Sequence, residues 1–226
     1  MSVPAKRSTA GTRPTKAPNA LVTTYLTVYN AGSAVAWGYV LYLLGYHLLK
    51  TNGEYTSSYR AVGDLTRSVQ TFAILEILHS LFGLVKTPVA TTVIQVSSRL
   101  LLVWGVLFMF PVPEVTQHWA VSTMIGAWCV AEITRYVYYT FSLVGSVPGW
   151  VTWCRYNFFF ILYPVGAGSE FILLLLSLKS VRLYDERLYY LYLAIAFTYP
   201  PGLYLMYTHM MAQRRKIMRA SRAKTA

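Results

Sequence analysis

Six long apolar runs recur along this chain, at about residues 22–45, 68–86, 89–110, 118–140, 155–178 and 188–211, and they constrain the fold more than anything else in it. A helix rises about 1.5 Å per residue, so roughly 20 residues match the hydrocarbon layer of a bilayer. Lipid offers the backbone no hydrogen-bond partners, which restricts spanning elements to helices or a closed barrel. The runs are continuous rather than alternating. The expected fold is therefore all-α: a polytopic membrane protein, a bundle of six transmembrane helices. Composition agrees, since 12% of the residues are charged and a soluble domain carries about twice that share.

The net charge of +12 points to a membrane rather than to nucleic acid because of where it lies. Lys6, Arg7, Arg13 and Lys16 precede the first run, and Arg214, Arg215, Lys216, Arg219, Arg222 and Lys224 follow the last. An even number of spans puts both tails on one side. On that arrangement 13 lysines and arginines fall inside and six fall in outside loops, as the positive-inside rule asks of cytosolic termini. The expected organisation is a disordered basic cytosolic tail over 1–21, a six-span membrane domain over 22–211 and a basic cytosolic tail over 212–226. The N-terminal bias toward Ser, Thr, Ala and basic residues is shared with transit peptides, but a tail before the first span accounts for it. Cys129 and Cys154 supply no disulfide framework, and His47, His79, His118 and His209 are too scattered for a metal site.

Breakers fit the partition. Asn52-Gly53 lies in the first loop, Lys86-Thr87-Pro88 makes a turn, and Pro111-Val112-Pro113 closes the third run. Val147-Pro148-Gly149 separates the fourth from the fifth. Pro200-Pro201-Gly202 is expected to kink or break the sixth. Trp119, Trp150 and Trp153 fall where amphipathic rings favour an interface.

Charges inside such runs are costly and mark function or paired structure. Six occur: Glu76, Arg99, Glu132, Arg135, Arg155 and Glu170. Three acids and three bases can pair almost fully, with Glu132 and Arg135 three apart on one helix and Glu76 expected against Arg99. His79 reads as a helix–helix contact. Glu170 differs, because no base stands three or four residues from it. Tyr163, seven residues earlier, returns to nearly the same helical face, offset by roughly 20°. Gly166 lies between them on that face, either as a substrate slot or as a small-residue packing groove. Pro164 is expected to kink the helix there. The spacing Cys129 to Arg135 matches a tyrosine-phosphatase signature, but an apolar helix with Glu132 between them is no phosphate-binding loop.

Taken in order, several blocks resemble the very-long-chain 3-hydroxyacyl-CoA dehydratase family of the endoplasmic reticulum, also called protein tyrosine phosphatase-like. They are Leu75-Glu76-Ile77-Leu78-His79 through Lys86-Thr87-Pro88, Gln95 to Arg99, Glu132-Ile133-Thr134-Arg135-Tyr136, Arg155-Tyr156, and Tyr163-Pro164-Val165-Gly166-Ala167-Gly168-Ser169-Glu170. The resemblance runs from about residue 25 to 218. It implies a six-span enzyme of the endoplasmic reticulum membrane with both termini cytosolic. It also implies the third step of fatty-acid elongation, removal of water from a 3-hydroxyacyl-CoA to leave a trans-2-enoyl-CoA. By the same resemblance Tyr163 and Glu170 are the catalytic pair, and Glu76, Arg99, Glu132, Arg135, Arg155 and Gly166 support them. Partners implied are the elongase, the 3-ketoacyl-CoA reductase and the enoyl-CoA reductase.

The chemistry is consistent with two protonatable groups and no metal or redox cofactor. Tyrosine is the better donor and glutamate the better base, but the reverse assignment stays open. Their Cα atoms are expected about 10.5 Å apart along a helix, so side-chain reach or the Pro164 bend has to bring them together. Lys86, Arg155 and the basic C-terminal residues are the candidate groups for the CoA phosphates. The ending from Arg222 to Ala226 resembles a dibasic retrieval signal. Two other classes compete: a proton-coupled carrier, which would show inverted repeats, and a non-catalytic scaffold of the elongation complex.

Overall fold

The structure, a computed structural model, describes the backbone of residues 20–225 and the side chains of 20–217. The expected N-terminal tail lies almost wholly outside the described residues, as do the side chains of Arg219, Arg222 and Lys224. Among the described residues there is helix and no strand. The helices are α1 (Ala20–Lys50), α2 (Ser58–Phe72), α3 (Ile74–Leu81) and α4 (Val89–Leu100), the last continued by a π-helical segment (Leu101–Phe108). Then come α5 (Pro113–Thr116), α6 (Trp119–Val144), α7 (Gly149–Asn157), α8 (Phe159–Tyr184) and α9 (Glu186–Thr225).

Local chemistry sets these boundaries. After α1 the chain turns through Asn52 and Gly53, both left-handed at φ 53° and 88°, a conformation open mainly to Gly and Asn. Gly145 ends α6 in the same region, φ 91°. Asp185 starts α9 by accepting from the backbone N–H groups of Arg187 and Leu188 at 2.7 and 2.9 Å, satisfying two donors a helix start leaves bare. His118 caps α6, its Nδ1 accepting from Ala120 N at 3.2 Å.

Each expected run coincides with a helix or an end-to-end pair of helices, with four differences. The second begins ten residues early, at Ser58, and is interrupted at Ala73. The fifth begins at Gly149 and is interrupted at Phe158, six residues before Pro164, where Ile161 N–H bonds the i−3 carbonyl of Phe158 at 3.1 Å. The break expected at Pro200-Pro201-Gly202 does not occur, because α9 runs through it to Thr225. The backbone bonds that two prolines remove do not end a helix whose neighbouring face is packed on α8. The first helix already includes Ala20 and Leu21, two residues given to the tail.

α6 is central, packing on α1, α8, α2 and α7, and α9 packs on α8. The core is drawn from Trp37, Leu102, Met124, Trp128, Leu173 and Tyr192, among others. Polarity is inverted relative to a water-soluble domain. Glu132 is 4% exposed and Gln70 2%, whereas Val35 is 72%, Ile161 71% and Phe197 74%. Val89–Phe108 and Phe159–Tyr184 are each long and apolar enough to cross a membrane. Polar groups are buried inside other runs, among them Asn30, Gln70 and Glu132.

The π segment is held by one close approach. Tyr192 Oη donates to Gly105 O at 2.9 Å, and a Cβ at position 105 would stand 2.5 Å from that hydroxyl and 2.9 Å from Leu101 Cδ1. Tyr192 is buried and has little room to yield. Gly105→Ala is expected to lower stability by about 1–3 kcal/mol through overpacking, read as a lower thermal midpoint in detergent. An unchanged midpoint would contradict the contact.

Candidate active site

Four of the six expected intramembrane charges form one chain of contacts. Glu132 accepts from Arg99 Nη1 and from Arg135 Nε, the latter at 2.9 Å. Arg135 then forks onto Glu76, Nη1 to Oε2 at 2.8 Å and Nη2 to Oε1 at 2.7 Å, and Tyr136 Oη donates to the same Oε1. The fork is the strong geometry for this pair. Two acids and two bases cancel, which is how a membrane interior tolerates them. The expected Glu76–Arg99 pair is not the one made: α6 carries both Glu132 and Arg135, and each reaches a different neighbour. Near-complete pairing also fails, because Glu170 and Arg155 form no ion pair among the described residues.

Glu170 is bound by neutral donors instead. Trp128 Nε1 on α6 donates to Oε1 at 2.8 Å, and Tyr199 Oη on α9 donates to Oε2 at 3.3 Å. The Tyr199 ring stacks on Phe171, centroids 5.7 Å apart. Trp128 also connects the carboxyl to the ion chain, since the Arg99 guanidinium lies 5.0 Å from the centre of its indole. Gly166 faces α6, where an added Cβ would meet Ala127 Cβ at 3.5 Å and Trp128 Cδ1 at 3.9 Å. The space it leaves is thus filled by α6 beside the Trp128–Glu170 bond. Ser169, the residue before Glu170, bonds Thr123 of α6 at 2.8 Å.

α8 and α9 run antiparallel along a seam. Glu170 meets Tyr199, and Tyr163 with Pro164 faces Leu203, Tyr204 and Tyr207 across a cleft of about 310 Å³. Phe160 meets Tyr207 with ring centres 6.4 Å apart, and Asn157 meets Arg214. Tyr199, Leu203 and Tyr207 are four apart and so share one face of α9. Tyr163 stands half-buried at the cleft, and Glu170, also half-buried, lies about two turns further along α8, where Tyr199 meets it.

The remaining residues are placed as follows. Arg155 lies within 4.5 to 5.9 Å of the ring centres of Tyr138, Tyr139 and Tyr156, and donates to Tyr139 Oη at 3.3 Å. Lys86 is exposed in the turn between α3 and α4. His79 is a helix–helix contact, 2.8 Å from Tyr25 Oη and edge-on to Tyr29. Cys129 is fully buried and Arg135 is occupied by two carboxylates, so the phosphatase-like spacing forms no anion loop. Sequence reasoning missed Trp128 and Tyr199. Trp128 carried a signal, standing four residues before Glu132 on one stripe; nothing singled out Tyr199 among 19 tyrosines.

This is an all-helical protein with an inverted exterior, a neutralised ion chain in its core and one carboxyl held apart beside a tyrosine-lined cleft. The chain belongs to the protein tyrosine phosphatase-like (PTPLA) family, whose profile matches residues 70–220. A Schizosaccharomyces pombe relative named "Probable very-long-chain (3R)-3-hydroxyacyl-CoA dehydratase" is 45% identical over 201 residues, 88% of this chain and 95% of its own. Very-long-chain (3R)-3-hydroxyacyl-CoA dehydratase PASTICCINO 2 of Arabidopsis thaliana is 38% identical, with 88% and 94% covered. Very-long-chain (3R)-3-hydroxyacyl-CoA dehydratase 2 of Homo sapiens is 37% identical, with 88% and 82% covered. No solved structure matches the chain.

Proposed function

We propose that this protein removes water from a long-chain 3-hydroxyacyl-CoA to give a trans-2-enoyl-CoA, the third step of fatty-acid elongation, as a six-span enzyme of the endoplasmic reticulum membrane with both termini cytosolic. The observation that carries the reading is Glu170, half-buried with no counter-charge in contact among the described residues and oriented by two neutral donors, Trp128 of α6 and Tyr199 of α9, beside the cleft that Tyr163 lines. The names of the relatives supply the reaction. The apolar exterior and the inward-facing polar groups support the bilayer setting.

The indole N–H of Trp128 can only donate, so Glu170 Oε1 is an acceptor. That suits a carboxylate base. Glu170 takes the proton from the carbon beside the thioester carbonyl. The electron pair left there forms the new double bond as the bond from carbon 3 to its hydroxyl breaks. Tyr163 protonates the leaving hydroxyl, and water departs. A proton passed back from Glu170 to Tyr163 resets the pair. The acyl chain lies between apolar helix faces. The protein works beside the elongase, the 3-ketoacyl-CoA reductase and the enoyl-CoA reductase, which supply its substrate and consume its product.

The test is purified protein in lipid nanodiscs given a 3-hydroxyacyl-CoA, with the conjugated enoyl thioester followed by absorbance. Steady conversion is expected. No conversion by folded protein would favour a carrier or a scaffold. Trp128→Phe keeps the ring and removes the donor to Glu170. Losing a hydrogen bond to a charged group costs about 1.5–3 kcal/mol, so kcat is expected to fall roughly 10- to 100-fold with KM little changed. A rise in KM alone, or a fall explained by lost folded protein, would contradict a positioning role.

A further inference from the structure

Resting on the dehydratase reading, we propose that Arg214, held by Asn157 at the outer end of the α8–α9 seam, anchors the phosphates of coenzyme A. Nε and Nη2 of Arg214 both donate to Asn157 Oδ1, at 3.1 and 2.9 Å. The guanidinium lies 4.9 Å from the ring centre of Phe160. A guanidinium has five N–H groups; two are on Asn157, so three remain, and no carboxylate pairs with Arg214 among the described residues. Arg67, Arg99 and Arg135 each meet an acid. Arg214 meets a neutral amide that fixes its plane and leaves its charge uncompensated.

The surroundings deepen the positive field. Arg155, two residues before Asn157, is held by tyrosines and likewise has no carboxylate partner among the described residues. Arg215 and Lys216 are exposed beside Arg214. An oriented guanidinium with free donors in such a field matches a phosphate, which it can bind through two parallel hydrogen bonds.

Both CoA and a phospholipid headgroup carry phosphate. The seam decides for CoA. From Arg214 the contacts run inward through Phe160 and Tyr207 to the cleft at Tyr163, and then to Tyr199 and Glu170. From Phe160, which the Arg214 guanidinium faces, to Glu170 is ten residues of α8, about 15 Å along the helix, a length an extended phosphopantetheine arm can cover. Phosphates at Arg214 therefore leave the thioester at the acid pair.

The experiment measures binding rather than turnover, so that it stands apart from the reaction. Free CoA and pantetheine, which lacks the phosphates, are titrated against wild type and Arg214→Gln in phosphatidylcholine nanodiscs. CoA is expected to bind wild type more tightly than pantetheine does, and Arg214→Gln to weaken CoA at least about tenfold while leaving pantetheine unchanged. Equal CoA affinity in the two proteins would overturn the proposal. So would equal loss for both ligands, or CoA binding that depends on Arg214 only when phosphatidylserine is present, the mark of a headgroup site. Arg214→Lys, which keeps the charge and loses the fork, is expected to fall between, and thermal midpoints check that each variant is folded. Wild type that binds CoA through Arg214 yet never forms enoyl-CoA would sink the dehydratase reading and leave this site standing.

Discussion

Glu170→Gln is expected to lower kcat by about 10²–10⁴-fold, the range that a positioned acid or base contributes, with little change in thermal midpoint. The amide has nearly the shape of the carboxyl and keeps an oxygen for Trp128 Nε1. It cannot take a proton from carbon. Because Glu170 has no ion-pair partner among the described residues, removing its charge strands no buried counter-ion there. Activity should therefore collapse while the fold persists. A stable variant that dehydrates at the native rate would remove Glu170 from the chemistry, and a variant that fails to fold would assign it to structure.

Glu132→Gln is expected to do the opposite. Among the described residues Glu132 is the one carboxylate that holds two arginines, Arg99 and Arg135, in a site 4% exposed. Removing its charge leaves Arg99 without an acid among the described residues, while Arg135 keeps Glu76, and breaking a buried pair costs about 3–5 kcal/mol. That is a large share of the 5–15 kcal/mol that holds a typical protein, and it corresponds to a fall in thermal midpoint of roughly 10 °C. The double change Arg99→Met with Glu132→Leu is expected to recover much of the loss, since apolar replacement of both partners spares the desolvation cost. If Glu132→Gln melts as wild type does, the ion chain is not what holds α6 to α4.

These two carboxylates show what the sequence can say. The helical class and the six runs were legible because apolar periodicity is a local property. The separate status of Glu170 was legible for the same reason, from the absence of a base within a turn. Which arginine meets which acid was not. Glu76 pairs with Arg135 rather than Arg99 because of how α3, α4 and α6 rotate against each other, and only packing fixes that. Tyr199 is a partner of Glu170 through the α8–α9 register, 29 residues away along the chain. The uninterrupted α9 has the same origin: proline lowers the local preference for helix, and packing against α8 overrides it.

The most direct measurement is the single-turnover rate of enoyl-CoA formation by wild type, Tyr163→Phe, Glu170→Gln and the double variant, each shown to be folded. Groups that act in one step lose activity once. The double variant is predicted to be about as slow as the slower single one. Native rates in the singles, or a double loss equal to the product of the two, would contradict a Tyr163–Glu170 pair acting together on the substrate.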